Sequence, residues 1–250
     1  MNRLRELMMV CIMAAVMMMS VGCHKDSISP ILPEGVLPGL FSVSPTQQVH
    51  FSKGNLQYQA STNTWRFAEQ QYSSNSNDLF GWGTGNNPSL SSVNDLDYAT
   101  FTDWGSNSIV NGGNAPNLWR TLTKEEWQFL IYKRPFKRGY GLINGYFEGL
   151  ILLPDTWLQP SGCPVFVTGD EFNRYTFSEW KVMELAGAVF LPLTKYNSQS
   201  HTANIGPYGE YWSSTPYDEY RANRIYLYDN SHMSVSYTSR HNKCAVRLVH

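Results

Sequence analysis

The chain has 250 residues, of which 42% are hydrophobic, 14% aromatic and 16% charged. Charge is well below the ~25% of an ordinary globular chain and aromatics are abundant, which excludes disorder as the main state. A net charge of −1 excludes a broad basic footprint for nucleic acid, and 19 Gly and 13 Pro spread along the chain exclude a coiled coil.

The N-terminus reads as an address. Seven of the nine Met lie in the first 19 positions, Arg3 and Arg5 form a basic start, and an apolar run extends from Leu7 to Val21. That run is short of the ~20 residues a transmembrane helix needs and suits a signal peptide, expected over residues 1–22. It closes on Ser20-Val21-Gly22-Cys23, which resembles the lipobox of bacterial lipoproteins. The resemblance implies lipidation at Cys23 and a lipid-anchored place at the outer membrane, on the cell surface. Ser20 departs from the usual Leu, and the other reading is plain secretion with Cys23 incidental. His24-Lys25-Asp26 is similar to the export signal of surface-exposed lipoproteins. Residues 23–38, with Pro30, Pro33 and Pro38, read as an extended tether. The folded domain is expected over 39–250.

Cys163 and Cys244 are the thiols left, and outside the cytoplasm they form a possible disulfide. No CxxC, HExxH or Cys/His cluster occurs and the six His show no ligand spacing, so no metal site and no cofactor are expected. The Asp- and Asn-rich stretch 75–117 leaves calcium open through carboxylates and carbonyls, although it lacks EF-hand spacing.

From Gly39 the chain alternates apolar and polar residues in short runs around Phe41, Val49, Leu56 and Trp65, the mark of half-buried strands. Residues 73–117 have no period and are dense in Ser, Asn, Gly and Asp. Phe80, Trp82, Tyr98, Phe101 and Trp104 punctuate them, predicting a long loop ordered by aromatics. Thr123-Lys124-Glu125-Glu126 is a capping box that starts a helix with Trp127, Leu130 and Ile131 on one stripe, stopped by Pro135. Thr176-Phe177-Ser178-Glu179 starts a second, with Trp180 and Met183 on one face and Gly187 as the stop. Buried strands are predicted at 149–154 and 188–192. Near the C-terminus, Ile225 and Leu227 face one side and Arg224, Tyr226 and Tyr228 the other. Cys244, Val246 and Leu248 alternate with Ala245, Arg247 and Val249. The sum is α+β: mostly antiparallel sheets, two helices and long ordered loops.

Several segments taken together resemble a known group. They are Trp119-Arg120-Thr121-Leu122-Thr123 with Glu126-Trp127, Leu152-Leu153-Pro154-Asp155 with Trp157, and Ala186-Gly187-Ala188-Val189-Phe190-Leu191-Pro192. Gly209-Glu210-Tyr211-Trp212-Ser213-Ser214-Thr215 and Val246-Arg247-Leu248-Val249 complete the series. The series, over residues 39–250, resembles the Fibrobacter-type major paralogous domain and the formylglycine-generating-enzyme branch of the C-type lectin-like fold. That fold hosts both catalysts and binders. The enzymes use a reactive Cys pair near the C-terminal part of the domain, where only Cys244 stands here. The Glu-Pro-Asn, Gln-Pro-Asp and Trp-Asn-Asp triplets of calcium-dependent lectins are absent. The chain is therefore expected not to be an enzyme.

The late segment is similar to the variable proteins of diversity-generating retroelements, many of them surface lipoproteins, whose C-terminal strands carry a variable face on a fixed scaffold. Seven of 15 Tyr fall within 208–237. Tyr supplies rigid contact area at low entropy cost, and Ser, Asn and Asp supply adaptable hydrogen bonds. The expected ligand-binding residues are Tyr217, Asp218, Tyr220, Arg221, Asn223, Arg224, Tyr226, Tyr228, Asp229, Asn230, His232, Ser234, Tyr237, His241 and Asn242. The expected partners are an extracellular protein or glycan, and the membrane through the lipid; no nucleic acid is expected. The alternatives are a structural or pilus-associated envelope subunit and an oxidase of the formylglycine-generating type.

Overall fold

A computed structural model of the chain describes residues 32–135, 137–193, 208–228 and 232–250. The signal peptide, Cys23, Asp229 and Asn230 lie outside the described residues. The strands and helices are, in chain order, β1 (Val36–Ser42), β2 (Gln48–Ser52), β3 (Leu56–Gln59), β4 (Thr64–Phe67), β5 (Leu79–Phe80), β6 (Arg120–Thr121) and α1 (Lys124–Gln128). They continue with β7 (Arg138–Ile143), β8 (Phe147–Leu152), β9 (Gly169–Tyr175), α2 (Phe177–Leu185) and β10 (Val189–Pro192). The last are β11 (Tyr208–Pro216), β12 (Arg221–Tyr228), β13 (His232–Ser239), β14 (Cys244–Ala245) and β15 (Leu248–Val249). The architecture is α+β, mostly sheet, with antiparallel pairing predominant and two short helices.

Four sheets form, with strand orders β1-β2-β15-β6, β10-β8-β7-β9, β13-β12-β11-β14-β5 and β3-β4. Both helices begin at the expected capping boxes. Thr123 and Glu126 satisfy each other's free amides at α1, and Thr176 and Glu179 do so at α2. The chain past α1 widens into a π turn over Phe129–Lys133 and leaves the helical conformation at Arg134, just before Pro135. Gly187 follows α2 at φ +98°, a conformation that costs a side-chain-bearing residue energy, so the helix stops there.

One boundary moves. The tether was expected to run to residue 38, yet β1 begins at Val36, which pairs with Ser52. Leu37 is buried in the core, and its burial outweighs the local cost of Pro38. Pro38 is exposed where the β1–β2 register is irregular, so no ladder hydrogen bond is lost there.

The core divides into three clusters. The first holds Phe41, Phe51, Trp127, Leu150, Ile225 and Leu227; the second holds Phe67, Trp82, Trp104, Trp212 and Val246; the third holds Ile151, Trp180, Met183 and Phe190. The alternation at the C-terminus sorts itself between them: Cys244, Val246 and Leu248 enter the second cluster, Ala245 and Val249 the first. Arg247 lies between these apolar neighbours and is itself buried. Its Nη2 donates to Gln71 Oε1 at 2.6 Å and its Nη1 to Asn55 Oδ1 at 3.3 Å. Gln71 also accepts from the Phe190 amide and donates to Glu184 and the Ala188 carbonyl. Asn55 donates to the Tyr211 hydroxyl, which donates to the Pro192 carbonyl.

The excursion 73–117 is ordered as expected. Trp82 donates to the Ser213 carbonyl at 3.0 Å and Trp119 to the Gly112 carbonyl at 2.8 Å. Asn75, Asn94 and Asp103 cap its three short 3-10 turns. Asp78, in the first of these turns, is buried and accepts from Gln57 at 2.7 Å.

Burial raises the Asp78 pKa to about 6. The native state therefore holds a proton between the unfolded value of 3.8 and about 6. Stability from this group is full below the lower value and is lost as pH rises through the upper one, a change of ~3 kcal/mol. The unfolding free energy of the wild type, minus that of Asp78→Asn, is expected to fall by about 2.5 kcal/mol between pH 4 and pH 7.5 in urea titrations. A difference that stays flat with pH contradicts the assignment.

Candidate recognition surface

The expected binding residues that are described lie on β12, β13 and the loops that flank them. β12 pairs with β11 and β13 on its two sides, with Arg224 opposite Trp212 and Ser236, and Tyr226 opposite Glu210 and Ser234. Because side chains alternate, Ile225 and Leu227 enter the first core cluster with Tyr211, while Met233 and Val235 pack against it. Arg224, Tyr226 and Tyr228 take the other face. The residues expected on one surface are therefore divided by the pleat into two groups.

One group is a ladder on the even-numbered face of β12. Tyr208 and Tyr226 have ring centroids 5.7 Å apart, Tyr226 and Tyr228 4.9 Å, and Tyr228 stacks on His232 at 5.4 Å. The Arg224 guanidinium lies 4.4 Å from the Tyr226 ring centre, and its Nε is 3.0 Å from a buried Glu210 carboxylate. Tyr228 and His232 are exposed, whereas Tyr226 and Ser234 are half-buried.

The other group is built at the hairpin between β11 and β12. Tyr217 and Tyr237 stack with centroids 3.8 Å apart and planes 17° from parallel. The Arg221 guanidinium sits 4.9 Å from one ring and 4.5 Å from the other. Asp218 fixes that guanidinium through Nε at 2.7 Å, and its other oxygen accepts from the backbone amides of Tyr220 and Arg221. This donor set, Arg221 foremost, holds the Asp218 carboxyl below the usual carboxylate range. Tyr217 and Tyr237 are 46% and 40% exposed, so the stacked rings face solvent, and Tyr220 beside them is 46% exposed.

Asn223 is a correction. It was expected at the ligand face and is buried, donating to the Thr215 and Pro216 carbonyls. Between Trp212 and Pro216 the β11–β12 register shifts, and the Asn223 amide serves the carbonyls that this irregularity turns away from the ladder. His241 and Asn242 are half-buried and engaged. His241 Nδ1 lies 2.8 Å from Asp95, and Asn242 donates to Thr238. The possible disulfide is a second correction. Cys163 and Cys244 do not bond to each other. Cys244 is in the second core cluster, whereas Cys163 packs against the third and donates to the Glu179 carbonyl.

Sequence reasoning missed the residue that holds the hairpin. Arg240, 5% exposed, donates to the carbonyls of Asp218 at 2.5 Å, Ala99 at 3.2 Å and Tyr98 at 3.3 Å. Its guanidinium also lies 4.5 Å from the Trp82 ring centre. Hairpin and long loop are thus fastened by one buried cation whose two Nη groups donate to three carbonyls. Trp82, Tyr98 and Ala99 also line a cavity of about 240 Å³ with Asn86, Asn87 and Asp97. Arg240 had a weak signal, a charged residue closing an otherwise uncharged strand. Among the described residues, no group of three or more His, Cys, Asp or Glu converges as a metal site needs.

A scan against family models, a search of curated proteins and a search of solved structures return no match for this chain. Among the described residues, no helix is long and apolar enough to cross a membrane.

Replacing Arg240 by Met is expected to destabilise the protein by about 3 kcal/mol, because several buried carbonyls lose a charged donor. Urea unfolding of the two proteins measures this. A loss under about 1 kcal/mol contradicts the role given to Arg240.

Proposed function

We propose that this chain is a lipid-anchored surface protein of the C-type lectin-like fold that binds an extracellular protein or glycan and carries out no bond-making chemistry. The lipid anchor rests on Cys23 and its preceding segment. The fold assignment rests on the motif series between Trp119 and Val249. The antiparallel sheets, two short helices and aromatic-pinned excursion support it.

The observation that carries the binding role is the hairpin cluster. Two exposed, stacked Tyr and an Arg are held in fixed geometry by Asp218 and Arg240, with the exposed Tyr220 on the same tied backbone. Rigid, exposed Tyr and Arg are the residue types that dominate binding hot spots, because little conformational freedom remains to be lost on contact. The ladder of Tyr226, Tyr228 and His232 supplies a second contact area on the other face of β12.

A second reading, an assembling envelope subunit, draws on β13. It is the edge of its sheet, and its eight residues contain no Lys, Arg, Asp, Glu or Pro and pair with β12 without a bulge. Such edges are usually blunted by charge or Pro. Here the Tyr132 hydroxyl caps the Met233 carbonyl and the Val235 amide.

Full-length protein screened on arrays of extracellular proteins and glycans is expected to give discrete ligands. Binding is expected to fall by about 100-fold when Tyr217, Tyr220, Arg221 and Tyr237 are changed together to Ala, with the circular dichroism spectrum retained. Ligands held equally by the variant contradict the proposal. Self-assembly through β13 without a discrete ligand favours the second reading.

A further inference from the structure

Lys243 is a half-buried lysine just past the C-terminal strand β13. It follows the edge of the recognition segment and enters the rim of a groove of about 370 Å³. Its Nζ donates to the Leu90 carbonyl at 2.6 Å, which leaves two donors of the ammonium unspent. Among the described residues it forms no ion pair with a carboxylate. Asp78, on the turn that forms one wall, is turned inward onto Gln57 and Asn75. Partial burial alone pushes the Lys243 pKa down, so the charge is held there without an acid to offset it.

The rest of the groove divides into two kinds of surface. Ser76, Asn77 and Ser89 are exposed and polar on its rim. Tyr58, Leu79 and Pro88 form half-buried apolar walls. A partly dehydrated cation next to small hydroxyl and amide groups, with an apolar wall opposite, matches a ligand that has one anionic end and one apolar face.

The geometry points to a binding groove for a compact carboxylate ligand, its carboxylate on the Lys243 ammonium and its ring or chain against Tyr58 and Leu79. The carboxylate has two sources that the groove accommodates, an acidic sugar and an aromatic acid. This site is separate from the hairpin surface and does not depend on it.

The test uses full-length protein and calorimetric titration with glucuronate, benzoate and, as the neutral control, methyl glucoside. At least one carboxylate is expected to bind saturably; glucuronate alone identifies an acidic sugar, benzoate alone an aromatic acid. Lys243→Met is expected to weaken that binding by about tenfold or more. Asn77→Asp, on the exposed rim, is expected to weaken it several-fold by placing a like charge beside the carboxylate, and it serves if Lys243→Met fails to fold. The hairpin variant with four Ala is expected to bind as the wild type does. The inference is overturned if neither carboxylate saturates or methyl glucoside binds as tightly. It is also overturned if the folded Lys243 and Asn77 variants bind unchanged.

Discussion

The Arg247 guanidinium is the constraint on which the scaffold depends. A cation buried among three apolar clusters is costly unless its donors are met, and loss of one partner leaves the others stranded. Asn55 and Gln71 each meet one of its two Nη groups, while its Nε is buried with no hydrogen-bond partner among the described residues. Gln71 reaches the third cluster through Ala188 and Phe190, and Asn55 reaches the first through Tyr211. The second cluster contains the residues on either side of Arg247. One side chain thereby fixes how the three clusters meet and holds the C-terminal segment in place.

The proposed recognition surface inherits that rigidity through a second buried arginine. Arg240 joins the hairpin carbonyl of Asp218 to the long loop at Tyr98 and Ala99, and packs on Trp82 of the second cluster. The exposed rings of Tyr217 and Tyr237 thus sit on backbone that is tied to the core. Two arginines turned inward support one, Arg221, turned outward. The pleat of β12 then assigns neighbouring residues to opposite faces, which lets one strand build the core with Ile225 and Leu227 while presenting Tyr226 and Tyr228.

What the sequence made legible was local. The capping boxes at Thr123 and Thr176, the stop at Gly187 and the alternation from Cys244 to Val249 all rest on interactions within a few residues, and all appear in the structure. The misses were long-range. Asn223 groups with the binding residues by its polar type although it shares the inward parity of Ile225 and Leu227; what the sequence did not show is the β11 register shift that gives it two backbone carbonyls to serve. Arg240 reads as surface charge, but its partners lie 142 and 22 residues away along the chain. The start of β1 was hidden by Pro38, since composition alone does not reveal that the strand pairs irregularly there.

The central claim is that the hairpin is ordered before any ligand arrives. The amides of Tyr217, Asp218, Tyr220 and Arg221 each donate to an internal acceptor, the first two to the Arg221 carbonyl and the last two to Asp218. Residue-resolved hydrogen exchange on the free protein tests this directly. These four amides are expected to exchange about 100-fold or more slowly than unstructured peptide, approaching the core strands. Exchange at the rate of an open loop would contradict it, because the aromatic cluster would then have no fixed form to offer.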